Sequence, residues 1–177
     1  NIQPAFVKAM DDYKNQYAPF AKRGWGATVK AERWNGRHVM FGWLMLLGTA
    51  YAKANGLLPE GNLDLSQWGV LGTLGDQTPI TNERAAILVA HIHFLFVSVA
   101  AAIAPFSFQD KLLLDKDEAD AKPAGLFPPF NLGLTEDAEI WNGRVAMVGL
   151  LTLIGVSFGT HTSILDTLNA GVGGILF

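Results

Sequence analysis

Residues 85–104 read AAILVAHIHFLFVSVAAAIA, 20 positions without Asp, Glu, Lys or Arg. A helix of that length is about 30 Å long, the hydrocarbon thickness of a bilayer. Asn82, Glu83 and Arg84 lead into it and Pro105 stops it, as helix boundaries should look. Such a run can be a bilayer span or the core helix of a soluble protein. Composition favours the first. Half of the 177 residues are hydrophobic and 16% are charged, where soluble domains carry about 25% charged residues. Nothing near Asn1 resembles a signal peptide and Asn1 is not an initiator Met, so a targeting segment is expected to have been removed.

Two further apolar runs, residues 39–52 and 145–158, are too short alone to span a bilayer. Each follows a polar cluster that contains no proline, and helices that include the clusters reach spanning length. The expected fold is therefore an all-α membrane protein, one domain over residues 1–177. Its three transmembrane helices cover about residues 30–54, 83–104 and 137–159, and a short C-terminal amphipathic helix lies on the surface at about 163–170. Trp34 and Trp141 then fall at interface depth, which indoles favour. Lys8, Lys14, Lys22, Arg23, Lys30 and Arg33 precede the first helix, whereas the first loop holds Glu60, Asp64 and Asp76 but no Lys or Arg. The second loop carries Lys111, Lys116 and Lys122. By the positive-inside tendency the N-terminus and second loop share the insertion side. The charge run at 112–122 reads as a solvated face rather than a partner contact.

The polar clusters are copies. Residues 31–43 read AERWNGRHVMFGW and residues 138–150 read AEIWNGRVAMVGL, an offset of 107. On a helix Glu32 and Asn35 share a face, but Glu32 and Arg37 are five residues, or about 140°, apart. The same holds for Glu139, Asn142 and Arg144. Neither glutamate can meet its own arginine, whereas crossing the two helices by a pseudo-two-fold axis pairs Glu32 with Arg144 and Glu139 with Arg37. Intramembrane charges require such partners. Glycines at 36, 42 and 48 and at 143, 149, 155 and 159 allow close helix approach. Asn35 and Asn142 either bond across the helices or, with the neutralised carboxylates, offer oxygen to a hard cation such as Mg²⁺. One oxygen per site suits a magnesium that already has most of its ligands, as in chlorophyll.

Two copies of Glu-x-x-Asn-Gly-Arg-x-x-Met-x-Gly, on the first and third of three helices, resemble the motifs of the light-harvesting chlorophyll-binding superfamily. Phe130-Asn131-Leu132-Gly133-Leu134 resembles the loop that cradles one end of a carotenoid there. The resemblance implies that Glu32, Asn35, Glu139 and Asn142 each hold a chlorophyll magnesium, with Arg37 and Arg144 as cross-helix partners. It implies chlorophyll a, a second chlorophyll type in some members, and carotenoids or xanthophylls beside the crossed helices. It further implies a plastid thylakoid location, N-terminus stromal and C-terminus lumenal, with photosystem core subunits (photosystem I favoured), neighbouring antenna proteins and thylakoid lipids as partners. Where the third helix usually carries a ligating Gln this chain has Val156, which cannot ligate. The His-x-His middle helix and the SILDTLNAGVGG tail look closest to the red-lineage chlorophyll a/b-binding-like proteins.

His91 and His93 lie about 200° apart on their helix, so they cannot share one metal but can serve two pigments. His161 and His38 are further candidate axial ligands, each with a bland alternative in solvation or a charged neighbour. Other classes find less support. A net charge of -3 and no sustained basic stripe argue against a nucleic-acid partner. The absence of Cys excludes disulfides and thiolate sites, and no nucleophile–base set or phosphate loop marks an enzyme. The leading expectation is an antenna subunit passing excitation to a photosystem. The alternatives are a photoprotective quencher or pigment carrier and, from another class, a small membrane transporter or assembly factor.

Overall fold

The computed structural model describes residues 2–66, 79–103 and 124–177. These hold six helices, α1 (Ile2–Gln16), α2 (Ala18–Ala21), α3 (Val29–Ala54), α4 (Asn82–Ile103), α5 (Glu136–Thr160) and α6 (Ile164–Gly171). An isolated antiparallel bridge joins Asn62 to Thr81. The charged loop at 112–122, with Lys111, Lys116 and Lys122, and Asp76 of the first loop lie outside the described residues.

The helices start where their sequences provide donors and acceptors for the first turn. Thr28 Oγ1 accepts from the Ala31 amide at 3.1 Å, and Thr135 Oγ1 accepts from the Ala138 amide at 3.2 Å. These caps satisfy N-terminal amides that the helix cannot satisfy itself. Thr28 and Thr135 are also 107 apart, so the internal repeat reaches back to the cap. Thr81 serves α4 in the same way through the Arg84 amide.

The cationic lead before α3 is itself helical, which the charge pattern hid. Phe6, Met10, Tyr13 and Tyr17 recur at three- and four-residue spacing, the mark of an amphipathic helix. Met10 is buried, the Tyr13 hydroxyl donates to the Trp25 carbonyl at 3.0 Å, and the Tyr13 and Tyr17 rings lie 5.3 Å apart.

The chain forms two compact units, residues 1–41 with 94–150 and residues 42–93 with 151–177. The first has a core of Met10, Ala21, Thr28, Val29, Ala138 and Ile140; that of the second is Leu46, Ala50, Ile87, Leu153, Leu165 and Leu168. Both cores are narrow, and large apolar side chains face outward instead. Leu44, Leu47, Val145, Val148, Leu151 and Phe158 are all exposed. Among the described residues one helix, Glu136–Thr160, is long and apolar enough to cross a membrane, and 11% of its most apolar window is buried. A core helix of a soluble protein would be mostly covered, whereas this one is mostly open among the described residues. In α3 the apolar run is shortened by Arg37 and His38 before it and Lys53 after it.

In the second unit α6 is set by its cap. Ser163 accepts from the Asp166 amide at 3.1 Å and donates to the Asp166 carboxylate at 2.7 Å. Leu165 and Leu168, three apart, then share the buried face. Lys53 Nζ reaches Asp166 at 2.9 Å and Glu83 at 3.1 Å, and sits 4.5 Å from the centre of the Phe177 ring. The Lys53 ammonium, followed by the Ser163 hydroxyl, holds the Asp166 carboxyl below the usual carboxylate range. A lowered folded-state value contributes stability above the unfolded value of about 3.9 and loses it as pH falls through the folded value. The protection of the Leu165 and Leu168 amides, their exchange rate relative to the free chain at the same pH, should therefore stay flat from neutral pH down to about pH 4 and weaken below it. In Asp166→Asn that acid step should vanish, and its persistence would assign the step to another group.

Candidate pigment site

The first unit contains the crossing of α3 and α5. Gly36 and Gly143 face each other there, and a Cβ added to Gly143 would lie 3.0 Å from the Gly36 Cα. Only backbone meets backbone at this point, which small residues permit. Around it the charged groups exchange reciprocally. Arg144 Nε donates to Glu32 Oε1 at 2.5 Å, and Arg37 Nε donates to Glu139 Oε1. This is the exchange that the five-residue offset on each helix requires. The four side chains are about one-fifth exposed, so each pair is partly desolvated and each charge depends on its partner.

The two halves differ in their surroundings. Arg144 Nη1 also donates to the carbonyls of Gly125 and Leu126, at 2.6 and 2.9 Å, so it pins the segment before α5. Trp141 Nε1 donates to Pro128 at 3.0 Å, with Phe130 edge-on to its indole. Asn131 donates to Asp137 at 2.6 Å. At the repeat position on α3, Trp34 Nε1 is buried without a hydrogen-bond partner among the described residues, and Arg37 lies 5.8 Å from its ring centre. Arg33 reaches Glu136 at 3.0 Å, a contact with no counterpart in the other half.

This donor set fits a magnesium tetrapyrrole. In each Glu–Arg pair the arginine Nε engages one carboxylate oxygen, leaving a charge-neutralised group with a second oxygen. Asn35 and Asn142 are exposed beside them, and neither amide has a hydrogen-bond partner among the described residues. Each amide therefore has a carbonyl oxygen able to make an axial bond to a magnesium. No cluster of His, Asp or Glu suited to a free metal ion occurs among the described residues.

The histidines separate by environment. The Nδ1–H of His91 donates to the Ile87 carbonyl and that of His93 to the Val89 carbonyl, both at 2.8 Å. In His93 such a bond leaves the Nε2 lone pair for a metal, whereas His91 makes a further contact besides its Nδ1 bond. The His91 Nε2 faces Gly42, where an added Cβ would lie 3.1 Å away. His93 is exposed and lies about 200° around the helix from His91. His38 is half-buried and already engaged with a neighbour. His161 is exposed at the end of α5, and Val156 is exposed with only apolar atoms to offer.

The family model for chlorophyll A-B binding proteins matches residues 12–161. The chain belongs to the chlorophyll A-B binding protein family. The match takes in both Glu-x-x-Asn-Gly-Arg clusters, α4 with its histidines, and His161. Over 133 residues the chain is 31% identical to an early light-induced protein of the chloroplast from Pisum sativum, covering 75% of this chain and 50% of that protein. The chain thus spans about half the length of this curated relative. Membership of the family assigns the chain to its light-harvesting superfamily. Sequence reasoning missed two residues that position the site, Thr28 and Thr135, although their 107-residue spacing was there to find.

Proposed function

We propose that this chain is a three-span chlorophyll- and carotenoid-binding protein of the thylakoid membrane, an antenna subunit that binds pigment rather than catalysing a reaction. The observation that carries the reading is the reciprocal Glu–Arg clamp with an amide beside each half that has no hydrogen-bond partner among the described residues. Glu32, Asn35, Glu139 and Asn142 hold chlorophyll magnesium. Among the histidines, His93 and His91 are axial ligands on opposite sides of α4, and His38 is a weaker candidate. α3 and α4 span beside α5, because neutralised pairs reduce the cost of placing the polar clusters at the membrane edge. The N-terminus is stromal and the C-terminus lumenal. Carotenoids lie against the exposed apolar flanks of the crossed helices. Chlorophyll supplies light absorption and excitation transfer; the protein fixes its position, orientation and local polarity. The partners are photosystem core subunits, photosystem I favoured, neighbouring antenna proteins and thylakoid lipids.

A second reading, a photoprotective quencher or pigment carrier, is favoured by the pea relative, which is named for early induction by light. The two differ in excited-state lifetime, long in an antenna and short in a quencher.

Purified in mild detergent, the protein should show red chlorophyll bands. Asn35→Leu and Asn142→Leu should each lose about one chlorophyll per chain on pigment extraction, since Leu cannot offer an axial oxygen. A folded, helical wild-type protein without colour would reduce the clusters to structural clamps.

A further inference from the structure

Two cavities adjoin in the second unit, and Glu83 and Arg84 line both. The first, of about 470 Å³, is walled by Ile87, Leu88, Ile154, Phe158 and Ile164. Its polar lining comes from the first turn of α4 and from residues 157–162 at the end of α5. The second, of about 680 Å³, lies against the loop that follows α3 and the start of α6, and includes Lys53, Glu60 and Asp166. Both volumes fall within the usual range of small-molecule sites, about 300–1,000 Å³. Arg84 is the last charged residue before the uncharged run 85–104. The boundary between the cavities is therefore also a boundary between polar and apolar chain. Such a pair fits an amphiphile, with its apolar part in the first cavity and its head in the second.

The charges decide which head. Lys53 is bound to Glu83 and Asp166, Ser163 to Asp166, and the Thr81 hydroxyl accepts from the Arg84 amide at 3.2 Å. The Glu60 and Arg84 side chains have no hydrogen-bond or ion-pair partner among the described residues. The second cavity thus holds three carboxylates, of Glu60, Glu83 and Asp166, and two cations, Lys53 and Arg84. An anionic head would meet surplus negative charge, and a cationic head would leave Arg84 unanswered. A hydroxyl both donates and accepts, whereas a guanidinium only donates and a carboxylate only accepts. A neutral head rich in hydroxyls satisfies both side chains at once.

We infer that the adjoining cavities bind one glycolipid, its sugar head between Glu60 and Arg84 and its acyl chain along the apolar wall. The inference rests on the membrane-spanning part of the proposed function and uses none of the pigment ligands. It is tested on the full chain refolded with extracted chlorophylls and carotenoids in a polyoxyethylene detergent, which has no sugar to compete. Native mass spectrometry then counts the lipid bound from equal amounts of digalactosyl diacylglycerol and phosphatidylglycerol. The wild type should hold one glycolipid in preference to the anionic lipid. Arg84→Leu and Glu60→Leu should each weaken that binding about tenfold, as loss of a hydrogen bond to a charged group does, with chlorophyll per chain and helix content unchanged. Leu88→Trp, which fills the apolar cavity, should weaken it too. Glycolipid binding that neither Arg84→Leu nor Glu60→Leu alters overturns the inference. A preference for phosphatidylglycerol that Glu60→Leu strengthens overturns it in favour of an anionic lipid, and a carotenoid lost from Leu88→Trp with glycolipid retained overturns it in favour of a pigment. A wild-type chain that takes up no chlorophyll but still binds glycolipid through Arg84 and Glu60 supports the inference and removes the pigment reading alone.

Discussion

Arg144→Leu is expected to lose about 3–5 kcal/mol of stability, the usual cost of stranding a partly buried charge by deleting its partner. Glu32 is left without a counter-charge, and the carbonyls of Gly125 and Leu126 lose their donor. The segment leading into α5 then has less to hold it, so pigment associated with α3 and with that segment should go together. Arg37→Leu breaks the equivalent pair with Glu139 and should likewise cost stability and pigment. Glu32→Gln added to Arg144→Leu should recover much of the stability, because a neutral amide needs no counter-charge and still offers an oxygen. The measurement is the thermal midpoint of the pigment-loaded protein in detergent, with chlorophyll per chain. Wild-type stability in Arg144→Leu would mean that water or lipid headgroups solvate Glu32, and the clamp would lose its role.

The second large effect belongs to the helix crossing. Gly143→Val puts a branched side chain where even a Cβ would come within 3.0 Å of the Gly36 Cα. The neighbour is backbone and cannot rotate away, so the helices must separate, at a cost of about 1–3 kcal/mol from overpacking alone. Separation also lengthens both Glu–Arg contacts, so stability and pigment content should fall together. Gly48→Ala is the matching control. It lies on the same α3 with nothing within 4 Å of its Cβ position among the described residues, and should gain up to about 1 kcal/mol from helix propensity. A Gly143→Val protein as stable as wild type would exclude close backbone packing at this crossing.

The sequence alone determined the helical class and the repeat. An uncharged run of 20 residues and two apolar runs led by polar clusters read as long helices, since in apolar surroundings a helix satisfies its own backbone. The 107-residue offset made Glu32, Arg37, Glu139 and Arg144 a reciprocal set, since 100° per residue forbids each glutamate its own arginine. The same periodicity would have disclosed α1 and the Thr28 and Thr135 caps, but lysines and loop-like composition masked them. Tertiary structure decided what depends on distance between segments far apart in the chain. It set the backbone contact of Gly36 with Gly143, the anchoring of residues 125 and 126 by Arg144, and the gathering of Glu83, Asp166 and Phe177 on Lys53. It also separated the histidines, turning His91 toward Gly42 and placing His161 in a glycine's conformation. Helical periodicity is local and can be read along the chain; which groups meet across the chain follows from packing, where a few tenths of an ångström separate a contact from a clash.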